Sequence, residues 1–271
     1  MLSAYRKAMK SPRIMRLAAT AVMLVCVVCG GVARGQAKGP GGEIHVAAAA
    51  DLQTVLPGLA AEYERTTGVK VVASYGSSGT LATQILNGAP FDLFLAADFV
   101  YPEKIVAAGM ADTKTPTQYA RGTLVLWARK DSPAQPLSVE KMLEPQVKSV
   151  AIADDEHAPY GRAAVSALRA LKMYDQVKPK LVVAENVAQA GQFAESGNAQ
   201  AGLISLTLAM SPRFSGEGTY VRVPTLYPAI QQCAVVLANG KQRAAANAFL
   251  KWVLSAPVQQ ELPKLGLGAA Q

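Results

Sequence analysis

Ser77 and Ser78 lie between two glycines in Ser74-Tyr75-Gly76-Ser77-Ser78-Gly79-Thr80-Leu81, and hydroxyls so placed suit one of three tasks. They can cap a helix. They can hold an anion, because a strand-to-helix turn aims its backbone N–H groups at whatever sits above the helix start. They can also attack a substrate, but the nucleophile elbow G-x-S-x-G needs a residue between serine and the second glycine, and Ser78 and Gly79 are adjacent. A serine hydrolase built on Ser77 or Ser78 would further need a histidine base, and the chain offers only His45 and His157. His45 alternates into an apolar strand and reads as a core or edge residue. His157, in Asp154-Asp155-Glu156-His157, reads as part of a solvated acidic turn, since the neighbouring ligand types lack metal-site spacing. Neither GxxxxGK[ST] nor a complete GxGxxG occurs. The residues therefore point away from an enzyme and away from a bound cofactor.

The elements that must position the serines follow from periodicity. Val69, Val71 and Val72 predict a strand before the turn, and Leu81, Ile85 and Leu86 a helix after it. Upstream, residues 44–50 read as a buried strand. Asp51 reads as the N-cap of a helix whose face is Leu52, Val55, Leu56, Leu59, Ala60 and Tyr63, ended by Gly68 and bent by Pro57. Residues 91–97 form a further strand, and Asp98 opens another helix. This is the β-α-β-α-β grammar of a parallel sheet. After a strand at 124–128 the grammar repeats: strand 149–153, the Pro159-Tyr160-Gly161 turn, a helix to about 171, strand 181–184, a helix capped by Asn186 and closed by Gly197, and strand 201–205. Residues 219–238 read as two extended segments around Pro224 and Pro228, with a helix over 242–254. Two α/β runs imply two lobes, and the carboxyl ends of their strands would face one cleft. The turns expected there are Ala50-Asp51, Ser77-Ser78, Pro159-Tyr160-Gly161, Glu185-Asn186-Val187 and Ile204-Ser205.

Composition is that of a globular chain: 271 residues, 51% hydrophobic and 17% charged. The formal charge of +8 would suggest nucleic acid until it is located. Arg6, Lys7, Lys10, Arg13, Arg16 and Arg34 all precede the first acid, Glu43; without these six, 21 basic residues face 19 acidic ones. Nucleic acid is not an expected partner. The same segment carries an apolar run from Leu17 through Val28 and small residues to Ala37, so residues 1–37 read as a secretory signal peptide, cleaved after Ala37 or Ala33. Cys26 and Cys29 leave with it. Cys233 alone remains, a buried apolar residue by expectation, and export without disulfides fits the periplasm.

Val46 to Leu52 (VAAAADL), Tyr75 to Leu81 (YGSSGTL), Asn87 to Asp98 (NGAPFDLFLAAD) and Asp155 to Gly161 (DEHAPYG), in this order, resemble the periplasmic molybdate-binding proteins of ABC importers over nearly all of the mature chain. The resemblance implies an α/β, two-lobed type II periplasmic binding fold, each lobe a mainly parallel sheet flanked by helices, with the ligand in the interlobe cleft. It implies a monomer that is not an enzyme and that captures molybdate or tungstate through hydroxyl and backbone N–H donors, then delivers it to a membrane ABC permease. Residues 38–121 plus 222–271 would form the first lobe and 122–221 the second, with hinge strands near 120–124 and 219–224. No free metal cation is expected. Carried over by position, Ser78 matches the family serine, beside Ser77, and Tyr160 and Val187 match main-chain donors. Two positions depart: Ala50-Asp51 stands where the first strand usually ends in serine, and Ser205 where a tyrosine hydroxyl often reaches the ligand. These departures keep another tetrahedral oxyanion, such as sulfate, as the alternative ligand. Asp51 is the harder one. An ionised carboxylate about 5 Å from a dianion at an effective dielectric near 20 is repelled by roughly 6–7 kcal/mol. Its side chain is therefore expected to turn away and cap its own helix through Gln53 or Thr54 N–H, leaving the backbone N–H of Asp51 or Leu52 to the ligand.

Overall fold

The computed structural model describes residues 42–270; residues 1–37, expected from the sequence to be a signal peptide, lie outside them. In chain order the elements are β1 (Glu43–Ala49), a 3-10 turn (Ala50–Thr54), α1 (Leu56–Thr67), β2 (Lys70–Gly76), α2 (Ser78–Leu86), β3 (Leu93–Ala96), α3 (Val100–Ala107), β4 (Thr117–Gly122) and β5 (Leu124–Arg129). A 3-10 turn (Val139–Leu143), β6 (Val150–Ala153), α4 (Pro159–Ala170), α5 (Tyr174–Val177), β7 (Leu181–Ala184), α6 (Val187–Ser196), β8 (Ala201–Ser205), α7 (Leu206–Met210), α8 (Pro212–Glu217) and β9 (Gly218–Arg222) follow. The chain closes with β10 (Ile230–Val236), α9 (Arg243–Val253), α10 (Ala256–Glu261) and β11 (Gly268–Ala269).

These strands build two sheets, ordered β11-β4-β10-β3-β1-β2 and β7-β6-β8-β5-β9. Both are mixed rather than mainly parallel. β1 pairs in parallel with β2 and β3, as the β-α-β pattern requires, but β10 runs antiparallel between β3 and β4 on the same sheet. In the second sheet β6 is parallel to β7 and β8, while β5 runs antiparallel to both β8 and β9. The antiparallel strands are those that carry the chain between sheets: β4 passes into β5 through Thr123, and the chain returns from β9 to β10 through residues 223–229. Local periodicity cannot show such pairings, because they join strands about 75 to 150 residues apart in sequence, as in Trp127 with Gly202, Ile230 with Gly122 and Val236 with Leu93.

The helix expected from Asp51 is divided. Ala50–Thr54 takes a 3-10 turn capped at Ala49, and α1 begins only at Leu56, so Pro57 falls in the first turn, where its missing N–H costs nothing and no bend arises. Gly68 ends α1 in the left-handed conformation, as expected. Each lobe has its own apolar core. Phe249, Tyr63 and Leu52 pack on one face of the first sheet and Phe94, Leu81 and Ile105 on the other, whereas Trp127 centres the core of the second lobe. Ala47 through Ala50 are all buried, and side chains this small let the neighbouring helix starts come close to the end of β1.

Candidate functional site

Four element starts meet at the carboxyl ends of the strands. The turn after β1 and the start of α2 come from the first lobe, and the starts of α4 and α6 from the second. Between them lies a cavity of about 10 Å³, room for a single water-sized centre, lined by Ala50, Asp51, Ser77, Ser78, Tyr160 and Val187 together with small neighbours. Among the described residues, neither lysine nor arginine lines it. Ala50, Asp51, Ser77, Ser78, Tyr160 and Val187 are thus brought together from four separate stretches.

The donors can be followed proton by proton. Ser77 is the N-cap of α2: its Oγ accepts the Thr80 N–H (3.2 Å) and lies 2.7 Å from Thr80 Oγ1. Ser78 is fully buried, and its Oγ accepts the Ala97 N–H at 3.0 Å, which leaves the hydroxyl proton to be donated. As the first residue of α2, Ser78 also has no intrahelical acceptor for its own N–H. In α4 the N-cap is Ala158, without a side-chain cap, so Tyr160 N–H in the first turn has no intrahelical acceptor. In α6 the Asn186 carboxamide accepts the N–H groups of Ala188 (3.1 Å) and Gln189 (3.0 Å), leaving the Val187 N–H. The arrangement is a set of neutral donors with helix dipoles behind three of them, which favours an anion.

Asp51 departs from expectation. Its carboxylate does not cap its own turn. Oδ2 instead accepts hydrogen bonds from Tyr160 Oη (3.2 Å) and from Gln232 Nε2, while Oδ1 is buried with no partner. The reason is the 3-10 geometry: Ala49 takes the cap position, placing Asp51 inside the turn, where its side chain extends toward donors of other elements. Burial pushes the Asp51 pKa up to about 6, against the lowering effect of the Gln232 and Tyr160 hydrogen bonds and of its own backbone N–H. Burial also holds the Tyr160 and Tyr119 hydroxyls well above their usual range, so both remain neutral donors.

Ser205 does not line the cavity, contrary to expectation. It caps α7, accepting the Leu208 N–H at 3.4 Å. Thr207 Oγ1 donates its one proton to the Asp51 carbonyl (2.7 Å), so across the 2.8 Å contact between the two hydroxyls Ser205 must be the donor. Its proton is spent within lobe 2. Sequence reasoning missed Gln232 and the Tyr160 side chain. Gln232, fully buried in the apolar strand β10, was detectable as a polar residue out of place, but nothing local tied it to Asp51, 181 positions away. Tyr160 Oη fits because Gly122 has no side chain; a Cβ there would collide with it.

Around the cavity the lobes touch through a rim of polar contacts. Gly79 N–H donates to His157 O (2.9 Å), and Tyr101 Oη donates to Glu156 O (2.8 Å). Arg162 of α4 pairs with Asp98, lies 5.2 Å from the Tyr101 ring centre, and places Nη1 3.3 Å from Tyr101 Oη. Thr54 Oγ1 donates to Thr207 O on the other side (3.1 Å). His157 is on this rim, paired with Asp154 (2.9 Å), and His45 lies at the exposed start of β1 beside Glu43. Cys233 is a free, buried thiol whose pKa burial raises to about 11.

Two lobes of mixed α/β sheet, closed by polar contacts over a small cavity of helix starts, define a solute-binding protein. Residues 44–267 match the model of the bacterial extracellular solute-binding protein family, and the chain belongs to that family. The molybdate-binding protein ModA of Rhodobacter capsulatus is 35% identical over 255 residues, covering 94% of this chain and 97% of the relative. Its namesake from Azotobacter vinelandii is 36% identical over 227 residues, 83% of this chain and 90% of the relative. A solved structure of the Azotobacter vinelandii periplasmic molybdate-binding protein superposes with a TM-score of 0.76 at 29% identity, covering 84% of this chain and all of that one.

Proposed function

We propose that this protein is exported to the periplasm through residues 1–37, captures molybdate or tungstate as a monomer, and hands it to a membrane ABC permease. The single observation that carries this reading is the convergence of Ser78 and the α4 and α6 starts on one small cavity without a cationic side chain. Neutral, fixed donors suit a fully ionised tetrahedral anion. The names of the two relatives narrow the anion to molybdate. Ala50, Asp51, Ser77, Ser78, Tyr160 and Val187 form the proposed binding set, and Ser205 supports it only through Thr207. The first lobe comprises 38–121 and 222–271, the second 122–221, and the cleft opens about the two crossings near 120–124 and 219–224.

Thermal melts with molybdate, tungstate, sulfate, phosphate and a panel of carboxylates test it. A ligand at about 100 times its dissociation constant stabilises the folded state by about 2.7 kcal/mol, which for a chain of this size raises Tm by roughly 5–10 °C. Molybdate and tungstate should produce that rise. A rise with sulfate alone would reassign the ligand, and no rise with any oxyanion would overturn the reading.

A further inference from the structure

Among the described residues, Asp51 is the one acidic side chain lining a cavity otherwise built from donors and small residues. It is fully buried, Oδ2 is saturated by Tyr160 and Gln232, and Oδ1 has no partner. We propose that Asp51 takes up a proton on Oδ1 when the cleft fills and keeps it there, donating a hydrogen bond through it to the bound oxyanion, so that capture of one dianion consumes one proton from solvent. The inference rests on the oxyanion reading of the cavity.

Two magnitudes decide for the acid form. With the carboxyl titrating at about 6, holding it protonated at pH 7 costs about a tenfold loss of affinity. An ionised carboxylate about 5 Å from a dianion would cost roughly 10⁵-fold. Protonation is the cheaper route, and it turns an unpartnered acceptor into a donor. Among the described residues, none of the other groups near the carboxyl can take over the titration. Tyr160 from α4 and Tyr119 from β4 are held neutral by burial, and Gln232 from β10 has no charge. Cys233, next on β10, titrates at about 11, and Thr207 from α7 meets the Asp51 carbonyl with a hydroxyl. Asp98 is paired with Arg162.

The sign follows from the proton count. The complex carries the proton throughout, whereas the free protein loses it as pH rises through the Asp51 pKa, so affinity must fall with rising pH. From about pH 6.5 to about pH 8.5, where molybdate and tungstate stay dianions, the molybdate dissociation constant of the wild type should rise roughly 50- to 100-fold. Calorimetry at about pH 8 in buffers of different ionisation enthalpy should give uptake of close to one proton per molybdate. Asp51→Asn, whose carboxamide donates without titrating, should level the pH profile and abolish the uptake. Wild-type protein that binds molybdate with a flat or rising pH profile and no proton uptake would overturn the proposal while leaving the oxyanion reading intact. A preference for phosphate over molybdate would also overturn it, because the carboxylate would then be accepting a proton held by the ligand. If neither protein binds any oxyanion at either pH, the underlying reading fails with it.

Discussion

The two sides of the cleft offer the same kind of donor by different means. On the first lobe the groups placed to act as donors in the proposed site are, besides the Ser78 N–H at the start of α2, side chains: the Ser78 hydroxyl and the Asp51 carboxyl. On the second they are main-chain N–H groups at the starts of α4 and α6. A side-chain donor can be removed by one ordinary substitution, whereas a main-chain donor survives every substitution except proline. The first lobe is therefore where selectivity among anions can be tuned, and the second is a fixed scaffold against which the ligand is measured.

The largest effect should come from Ser78→Ala. It removes a hydroxyl donated to a charged ligand, an interaction worth about 2 kcal/mol, so molybdate affinity should fall roughly 30-fold in isothermal titration. It also strips the Ala97 N–H of its acceptor, so the unliganded protein should lose about 1–3 kcal/mol in denaturant unfolding. Lost stability with unchanged affinity would make Ser78 a structural residue and break the contrast between the lobes.

On the other side, Val187→Pro and Val187→Ala separate backbone from side chain. Position 187 is the first of α6 and follows Asn186 in an extended conformation (φ −150°, ψ 172°), a context that accepts proline. Proline there deletes one N–H with the helix kept, and affinity should drop about tenfold. Alanine should change affinity by less than about twofold, although trimming a buried valine lowers stability. Equal losses for both variants would mean that the side chain, not the N–H, is what the ligand needs.

The same contrast governs what the sequence could reveal. The main-chain donors were legible because strand-turn-helix order alone locates a helix start: Asn186, Gly197 and Pro159 punctuate it whatever the neighbouring side chains are. Ser78 was legible because its two glycines and flanking periodicity frame it. Asp51 was misjudged because its role depends on Tyr160 and Gln232, residues 109 and 181 positions away, and on a break between the 3-10 turn and α1 that Pro57 marks only indirectly. Ser205 was misjudged for a related reason. Its proton is committed through Thr207, a chain of two hydroxyls ending on the Asp51 carbonyl, which no local pattern records. The antiparallel halves of both sheets were hidden likewise, since long-range pairing leaves no trace in local periodicity.

The smallest effect is expected outside the cavity, where the lobes hold each other without touching the ligand. Arg162 belongs to lobe 2 yet pairs with Asp98 and meets the Tyr101 hydroxyl of lobe 1, so these two contacts exist only when the lobes are together. Ligand affinity includes the free energy of closing, and removing a contact present only in the closed state weakens binding by shifting that equilibrium. The ion pair is partly solvated, with the Arg162 side chain 36% and the Asp98 side chain 13% exposed, which limits it to at most about 1 kcal/mol. Arg162→Ala should therefore weaken molybdate binding by no more than roughly fivefold, and the difference from wild type should shrink as salt is raised. Arg162 is the cleaner choice over Asp98, whose Oδ1 also accepts the Tyr101 N–H at the start of α3 (3.2 Å). A loss as large as that of Ser78→Ala, undiminished by salt, would place Arg162 among the groups that hold the anion and would end the account of a site built wholly from neutral donors.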